Sequence, residues 1–189
     1  MSDSKTFAAQ YLENLTETLR KIDPQAVAAA IDCLREARDA DKTIYACGNG
    51  GSALIASQMV VDIVKGASYG HKKRFKMIGL TDAIGTILAY ANDVSYDVVF
   101  EEQLKNFAVS GDVLIAISGS GNSPNVIKAV EYANSIGCRT IGLTTSESGT
   151  LRSLANLPLV VPSNHMGRLE DIFFALTHIL CYAFIEEPK

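Results

Sequence analysis

The chain of 189 residues carries a net charge of −4, with 48% hydrophobic and 20% charged residues; this describes one globular domain that buries a core on both faces of a sheet and excludes a disordered chain. Its one run of three cations, Lys72-Lys73-Arg74, reads as a solvated loop and excludes the basic footprint of a nucleic-acid binder. The first twenty residues lack the apolar core of a signal segment and no apolar run reaches membrane-spanning length, so a cytoplasmic location is expected, with no nucleic-acid and no membrane partner.

Taken in chain order, Phe7, Tyr11, Leu12, Leu15 and Leu19 stand at helical spacing and predict a helix over 6–20, and a second follows a proline start over 24–37. Short apolar runs at 43–47, 75–79, 113–117, 140–143 and 157–161 predict strands. Helical segments are expected over 53–65, 97–107 and 125–135, with a last helix over 168–185. Strands apolar on both faces that alternate with helices predict a single-domain α/β fold with a doubly wound, parallel, five-stranded sheet. No repeat or linker divides the chain, so 1–189 is read as one unit, with N-terminal helices in 1–40 and the α/β core in 41–189. Cys33, Cys47, Cys138 and Cys181 lie far apart among apolar residues without C-x-x-C pairing, and are expected to be buried, reduced thiols.

Two strand ends carry unusual loops, Gly48-Asn49-Gly50-Gly51-Ser52 and Ser118-Gly119-Ser120-Gly121-Asn122-Ser123, each before a helix. Glycines allow a tight turn, hydroxyls donate, and a helix N-terminus offers free N–H groups and the positive end of its dipole, which together suit a dianionic phosphate. The plain alternative is a turn and an N-cap with no ligand. Three serines within six residues exceed what one cap uses, and two such loops at strand ends of one sheet face one crevice. Neither loop is a Walker A motif, and Gly48-x-Gly50 lacks the third glycine of the dinucleotide fingerprint, so no nucleotide cofactor is expected.

With Asn92-Asp93, Gly111-Asp112-Val113-Leu114, Val126-Ile127-Lys128-Ala129 and His178-Ile179-Leu180, these loops make the chain resemble the sugar isomerase (SIS) domain family, in its phosphoheptose isomerase-like branch. The resemblance implies a flavodoxin-like SIS fold and an aldose–ketose isomerase acting on a ketose phosphate, with sedoheptulose 7-phosphate the favoured substrate. It also implies a homotetramer with active sites at subunit interfaces, the N-terminal helices serving oligomerisation. The alternative is a non-catalytic phosphosugar-binding or protein-bridging module like the initiator-associating protein. By the resemblance Ser118, Gly119, Ser120 and Ser123 hold the phosphate, and Asn49, Gly50, Ser52, Asn92 and Asp93 contact the sugar. The catalytic glutamate and histidine of the branch fall at Asp62 and His178, and its remaining metal-site histidine and glutamine at Gln58 and Glu170. Zinc, bound in some members, would therefore meet Gln58, Asp62, Glu170 and His178 here, three of them changed.

Isomerisation needs a base beside a carbonyl and an acid for the enediol. Gln58 and Asp62 are four apart on one expected helix and share a side; Glu170 and His178 are eight apart on the last, about 80° around the axis. Asp62 is the candidate base and His178 the acid, with Glu170 a metal ligand or a second carboxylate holding the imidazole in one tautomer. Asp171 is an alternative to Glu170, and His165 is within reach of the cleft. Aspartate is one methylene shorter than glutamate, so the carboxylate is expected about an ångström back, a misplacement that costs on the order of a hundredfold unless the backbone compensates.

Overall fold

The computed structural model describes residues 3–145 and 149–188. Helices α1 (Ser4–Leu19) and α2 (Pro24–Asp39) lead the chain, and each starts on an aspartate. The Asp3 carboxylate accepts from the N–H groups of Lys5 and Thr6, and that of Asp23 from Gln25. These carboxylates satisfy donors that the helix itself leaves unpaired, and Pro24 occupies a first turn where its missing donor is no loss. α2 buries Val27, Ala30, Leu34 and Ala37, whereas α1 leaves Phe7 and Leu12 exposed.

The sheet consists of β1 (Thr43–Gly48), β2 (Lys76–Gly79), β3 (Val113–Ser118), β4 (Arg139–Thr145) and β5 (Leu157–Val161) in the order β2-β1-β3-β4-β5, every pairing parallel. This is the expected doubly wound α/β fold. Side chains alternate across each strand. Ile44, Ala46, Ile115, Ile117, Ile141 and Leu143 face one core, shared with α2, α3 (Gly51–Val61) and α8 (Met166–Ile185). Tyr45, Cys47, Leu114 and Ala116 face the other, covered by α4 (Ile84–Asp93), α5 (Glu101–Phe107), α6 (Pro124–Ser135) and α7 (Thr150–Leu154). The chain steps outward from β1 to β2, then crosses back to β3 on the other side. The switch point lies between the C-terminal ends of β1 and β3, which is where both glycine- and serine-bearing loops emerge.

Four elements depart from the expected pattern. The helix expected over 53–65 ends as α-helix at Val61 and continues as a π turn, Asp62–Gly66, with Ala67 N–H donating to Asp62 O. The helix expected over 97–107 divides into a short 3-10 turn, Tyr96–Val98, and α5. The sequence pattern does not predict α4: it buries no residue, starts without a side-chain cap, and contains Gly85 and β-branched residues of modest helix propensity. α7 has five residues, too few to show a period. Among the described residues no helix is long and apolar enough to cross a membrane. All four cysteines are free and buried.

Candidate active site

β3 ends on Ser118, and the loop that follows turns its hydroxyls inward. Ser118 Oγ stands 3.4 Å from Ser120 Oγ and 3.2 Å from Ser123 Oγ. Backbone N–H groups of Gly121 and Asn122 point at the oxygens of Ser118 and Ser120. Ser123 occupies the N-cap of α6, yet its side chain makes no capping bond. Its hydroxyl is thus left to the cluster, at the mouth of a twelve-residue helix whose dipole favours an anion.

The loop after β1 is tied to this cluster. Asn49 donates through Nδ2 to Asn125 Oδ1 at 2.8 Å and accepts at Oδ1 from Asn125 Nδ2 at 2.9 Å and from the Tyr96 hydroxyl at 2.8 Å. Gly50 next to it has φ +53° and ψ −121°, a conformation that only glycine adopts without strain, and it turns the chain into α3. Gly51 lies under the carboxylate of Glu170: a Cβ there would come 2.8 Å from Glu170 Cδ. The start of α8 also covers the serine loop, because a Cβ on Gly119 would meet Met166 Sδ at 3.0 Å and Leu169 Cδ2 at 3.1 Å.

The other candidate residues gather at the far end of α3. Gln58 Nε2 donates to Asp62 Oδ1 at 3.1 Å, and Asp62 Oδ2 stands 3.7 Å from His178 Nε2. Asp62 Oδ2 is buried and accepts no hydrogen bond, while the His178 side chain is 49% exposed. Phe174 and Tyr182, one turn to either side on α8, flank the imidazole at centroid distances of 6.5 and 6.1 Å. Burial, and then the charge of Asp62, push the Cys181 thiol far above its ordinary range. Asp62 follows Gly51 by eleven residues, about 16 Å along a helix axis at 1.5 Å per residue. The Asp62–His178 pair and the two loops therefore occupy opposite ends of α3.

Several of the residues singled out from the sequence take other places. Within one protomer Glu170 sits with the loops and away from the imidazole, so it neither orients the His178 of its own chain nor joins Asp62 there. Asp171 accepts a 2.6 Å hydrogen bond from Tyr11 of α1, which ties it outside the crevice. His165 caps α8, accepting from Arg168 N–H at Nδ1, with its ring edge-on to Tyr11. Asn92 and Asp93 are exposed at the end of α4, Asn92 donating to Asp93. Ser52 is buried in the first turn of α3. Asn125 and Tyr96 carry no signal in the sequence: Asn125 reads as an ordinary helix-start residue, and Tyr96 lies outside any motif. For zinc, the unpartnered Asp62 oxygen beside His178 offers two donors. Glu170 is held at the other end of α3, and among the described residues no three His, Cys, Asp or Glu gather to hold a metal. Within one protomer the four residues, as arranged, do not fit a closed zinc site.

The SIS domain model matches residues 10–145. The chain belongs to the SIS domain family. Within that family it is 36% identical over 171 residues to the phosphoheptose isomerase of Citrifermentans bemidjiense, covering 90% of this chain and 88% of the relative. Its fold matches the phosphoheptose isomerase of Francisella tularensis with a TM-score of 0.90 at 26% identity over the whole of both chains. It matches that of Neisseria gonorrhoeae with a TM-score of 0.86 at 29% identity, over 95% and 97% of the two chains. The SIS chain described here is accordingly an aldose–ketose isomerase of the phosphoheptose isomerase branch, in which the crevice between β1 and β3 carries the serine loop and the end of α3 carries the Asp62–His178 pair.

Proposed function

We propose that the enzyme interconverts sedoheptulose 7-phosphate and a heptose 7-phosphate. The observation that carries this reading is the convergence of Ser118, Ser120 and Ser123 at the uncapped start of α6, which supports a phosphate monoester as the anchor. The backbone of Gly119 in the same loop adds to the anchor. The sugar then extends past Asn49, Gly50 and Ser52, with Asn92 and Asp93 on the rim.

In the chemistry we assign, Asp62 takes a proton from C1 of the ketose while His178 gives one to the C2 oxygen, leaving an enediol. Asp62 returns its proton to C2 and His178 recovers one from the C1 hydroxyl, leaving the aldehyde. Both groups end in their starting protonation states, so the cycle closes without a co-reactant. No step passes through a metal. The Asp62–His178 pair stands at the opposite end of α3 from the serine loop, so one sugar phosphate is taken to bridge the loop of one protomer and the pair of a neighbour. Exposed Val61, Ile179 and Tyr182 around the pair, and Phe7 and Leu12 on α1, support such an interface. The reading is a cytoplasmic homotetramer with its sites between subunits.

The test is proton exchange at C1 of sedoheptulose 7-phosphate in heavy water, followed by NMR. Exchange that is abolished in the Asp62→Asn enzyme supports the isomerase reading. Phosphosugar binding without exchange would instead favour a bridging module.

A further inference from the structure

Asn49 and Asn125 form a closed pair, and the way it closes decides what Asn49 presents to a ligand. The Asn125 side chain is 1% exposed. Besides pairing with Asn49, its Oδ1 accepts from the Val126 backbone N–H at 2.9 Å. A backbone N–H only donates, so the oxygen of the Asn125 amide is fixed on that side and its NH₂ on the other. That orientation dictates the next one: Asn49 must set its oxygen against Asn125 Nδ2 and its nitrogen against Asn125 Oδ1. Turning Asn49 over would oppose two NH₂ groups and two oxygens, a mismatch in a nearly closed space.

A primary amide has two N–H donors and two oxygen lone pairs. Asn49 spends one donor on Asn125 and both lone pairs on Asn125 and the Tyr96 hydroxyl. One N–H is left. We propose that Asn125 and Tyr96 are positioning residues that hold the Asn49 amide so that it offers the bound sugar a single N–H donor and no acceptor. Asn49 then reads an oxygen through its lone pair: a carbonyl, an enediolate or a hydroxyl acting as acceptor. Asn125 follows Ser123 by two residues at the start of α6, so the donor and the phosphate anchor belong to one rigid unit. Their separation is fixed before substrate arrives, which is the condition for positioning rather than mere binding.

This inference rests on the phosphosugar reading of the crevice, and the experiment separates the two. Tyr96 is half exposed, and Tyr96→Phe deletes one hydroxyl from a residue that the fold does not bury. Calorimetry with inorganic phosphate reports the serine loop, and kcat/KM for sedoheptulose 7-phosphate reports the aligned sugar. The expected result is a fall of about tenfold in kcat/KM, the size of one hydrogen bond, with phosphate Kd unchanged within twofold and the melting temperature preserved. In Asn125→Asp the carboxylate still accepts from Val126 and Asn49 but no longer donates, and kcat/KM falls further. An unaltered kcat/KM in Tyr96→Phe, or a parallel loss of phosphate affinity, overturns the proposal. A wild-type protein that binds no phosphate removes the phosphosugar reading, and this inference with it.

Discussion

Oδ2 of Asp62 lies 3.7 Å from Nε2 of His178 and, buried as it is, accepts no hydrogen bond. A carboxylate oxygen without a partner is energetically unfavourable in a folded chain and is commonly kept for a reaction. Replacing Asp62 with Asn, or His178 with Gln, is expected to lower kcat by two to four orders of magnitude, as loss of a general base or acid does. The melting temperature should hold, because His178 is half exposed. Asp62→Glu, which carries the carboxylate closer to the imidazole, is expected to retain activity within about tenfold. Steady-state kinetics of the three variants checks the pair.

The separation of this pair from the serine loop makes a sharper demand. A Ser120→Ala, Ser123→Ala enzyme and an Asp62→Asn enzyme, each inactive alone, are expected to recover activity when co-expressed or unfolded and refolded together. Random mixing of two protomer types gives about one site in four with both intact halves. Recovery within a few per cent of background would mean that each protomer works by itself.

Phosphate recognition should divide among the three hydroxyls. Each of Ser118→Ala, Ser120→Ala and Ser123→Ala loses one hydrogen bond to a charged group, about 1.5–3 kcal/mol, and so weakens binding roughly ten- to a hundredfold. Calorimetry with the sugar phosphate measures this. An equal loss for the unphosphorylated sugar would show that the loop does not read the ester.

Gly51 and Glu170 are predicted to be coupled. A methyl group on Gly51 overlaps only the Glu170 carboxylate, the far end of a flexible side chain, so Gly51→Ala is expected to push that carboxylate aside for less than about 1 kcal/mol, a loss absent when Glu170→Ala is already in place. Additive losses in a thermal-unfolding cycle would show that the two sites do not meet.

Alkaline pH acts on the core. Burial pushes the Cys47 thiol up to about 12, and burial followed by the Asp112 charge pushes the Tyr45 phenol up to about 12. Both keep their protons in the folded state where the unfolded chain releases them. Stability from these groups is therefore complete below about pH 9, where the unfolded thiol begins to ionise, and is lost as pH rises toward 12. Urea midpoints taken between pH 8 and 11 should fall without change in slope. Thiol reagents should label none of the four cysteines of the native protein at pH 8 and all four after denaturation.

Much of this structure could be read from the chain. Strands such as Val113–Ser118, apolar at each position before the final serine, allow only a sheet covered on both faces, and glycine and serine at the ends of β1 and β3 marked the crevice. The spacing of Gln58 and Asp62 gave their shared side, because helical periodicity is local. What escaped was non-local. The path from β1 to Asn125 depends on two amides 76 residues apart, and the placement of Glu170 over Gly51 depends on how α8 crosses α3. Helix α4 escaped for another reason: it starts without a side-chain cap, contains Gly85, and buries its apolar positions only in part, so no boundary signal marks it.

The unused cap at Ser123 has a thermal corollary. A helix whose N-cap hydroxyl makes no bond to its first turn forgoes about 1 kcal/mol, so the start of α6 gains stability when an oxyanion settles on the serine hydroxyls. Heat resistance would then rise with ligand concentration by simple mass action. The same three hydroxyls that select the ester thus make the melting curve a gauge of how much of it is present.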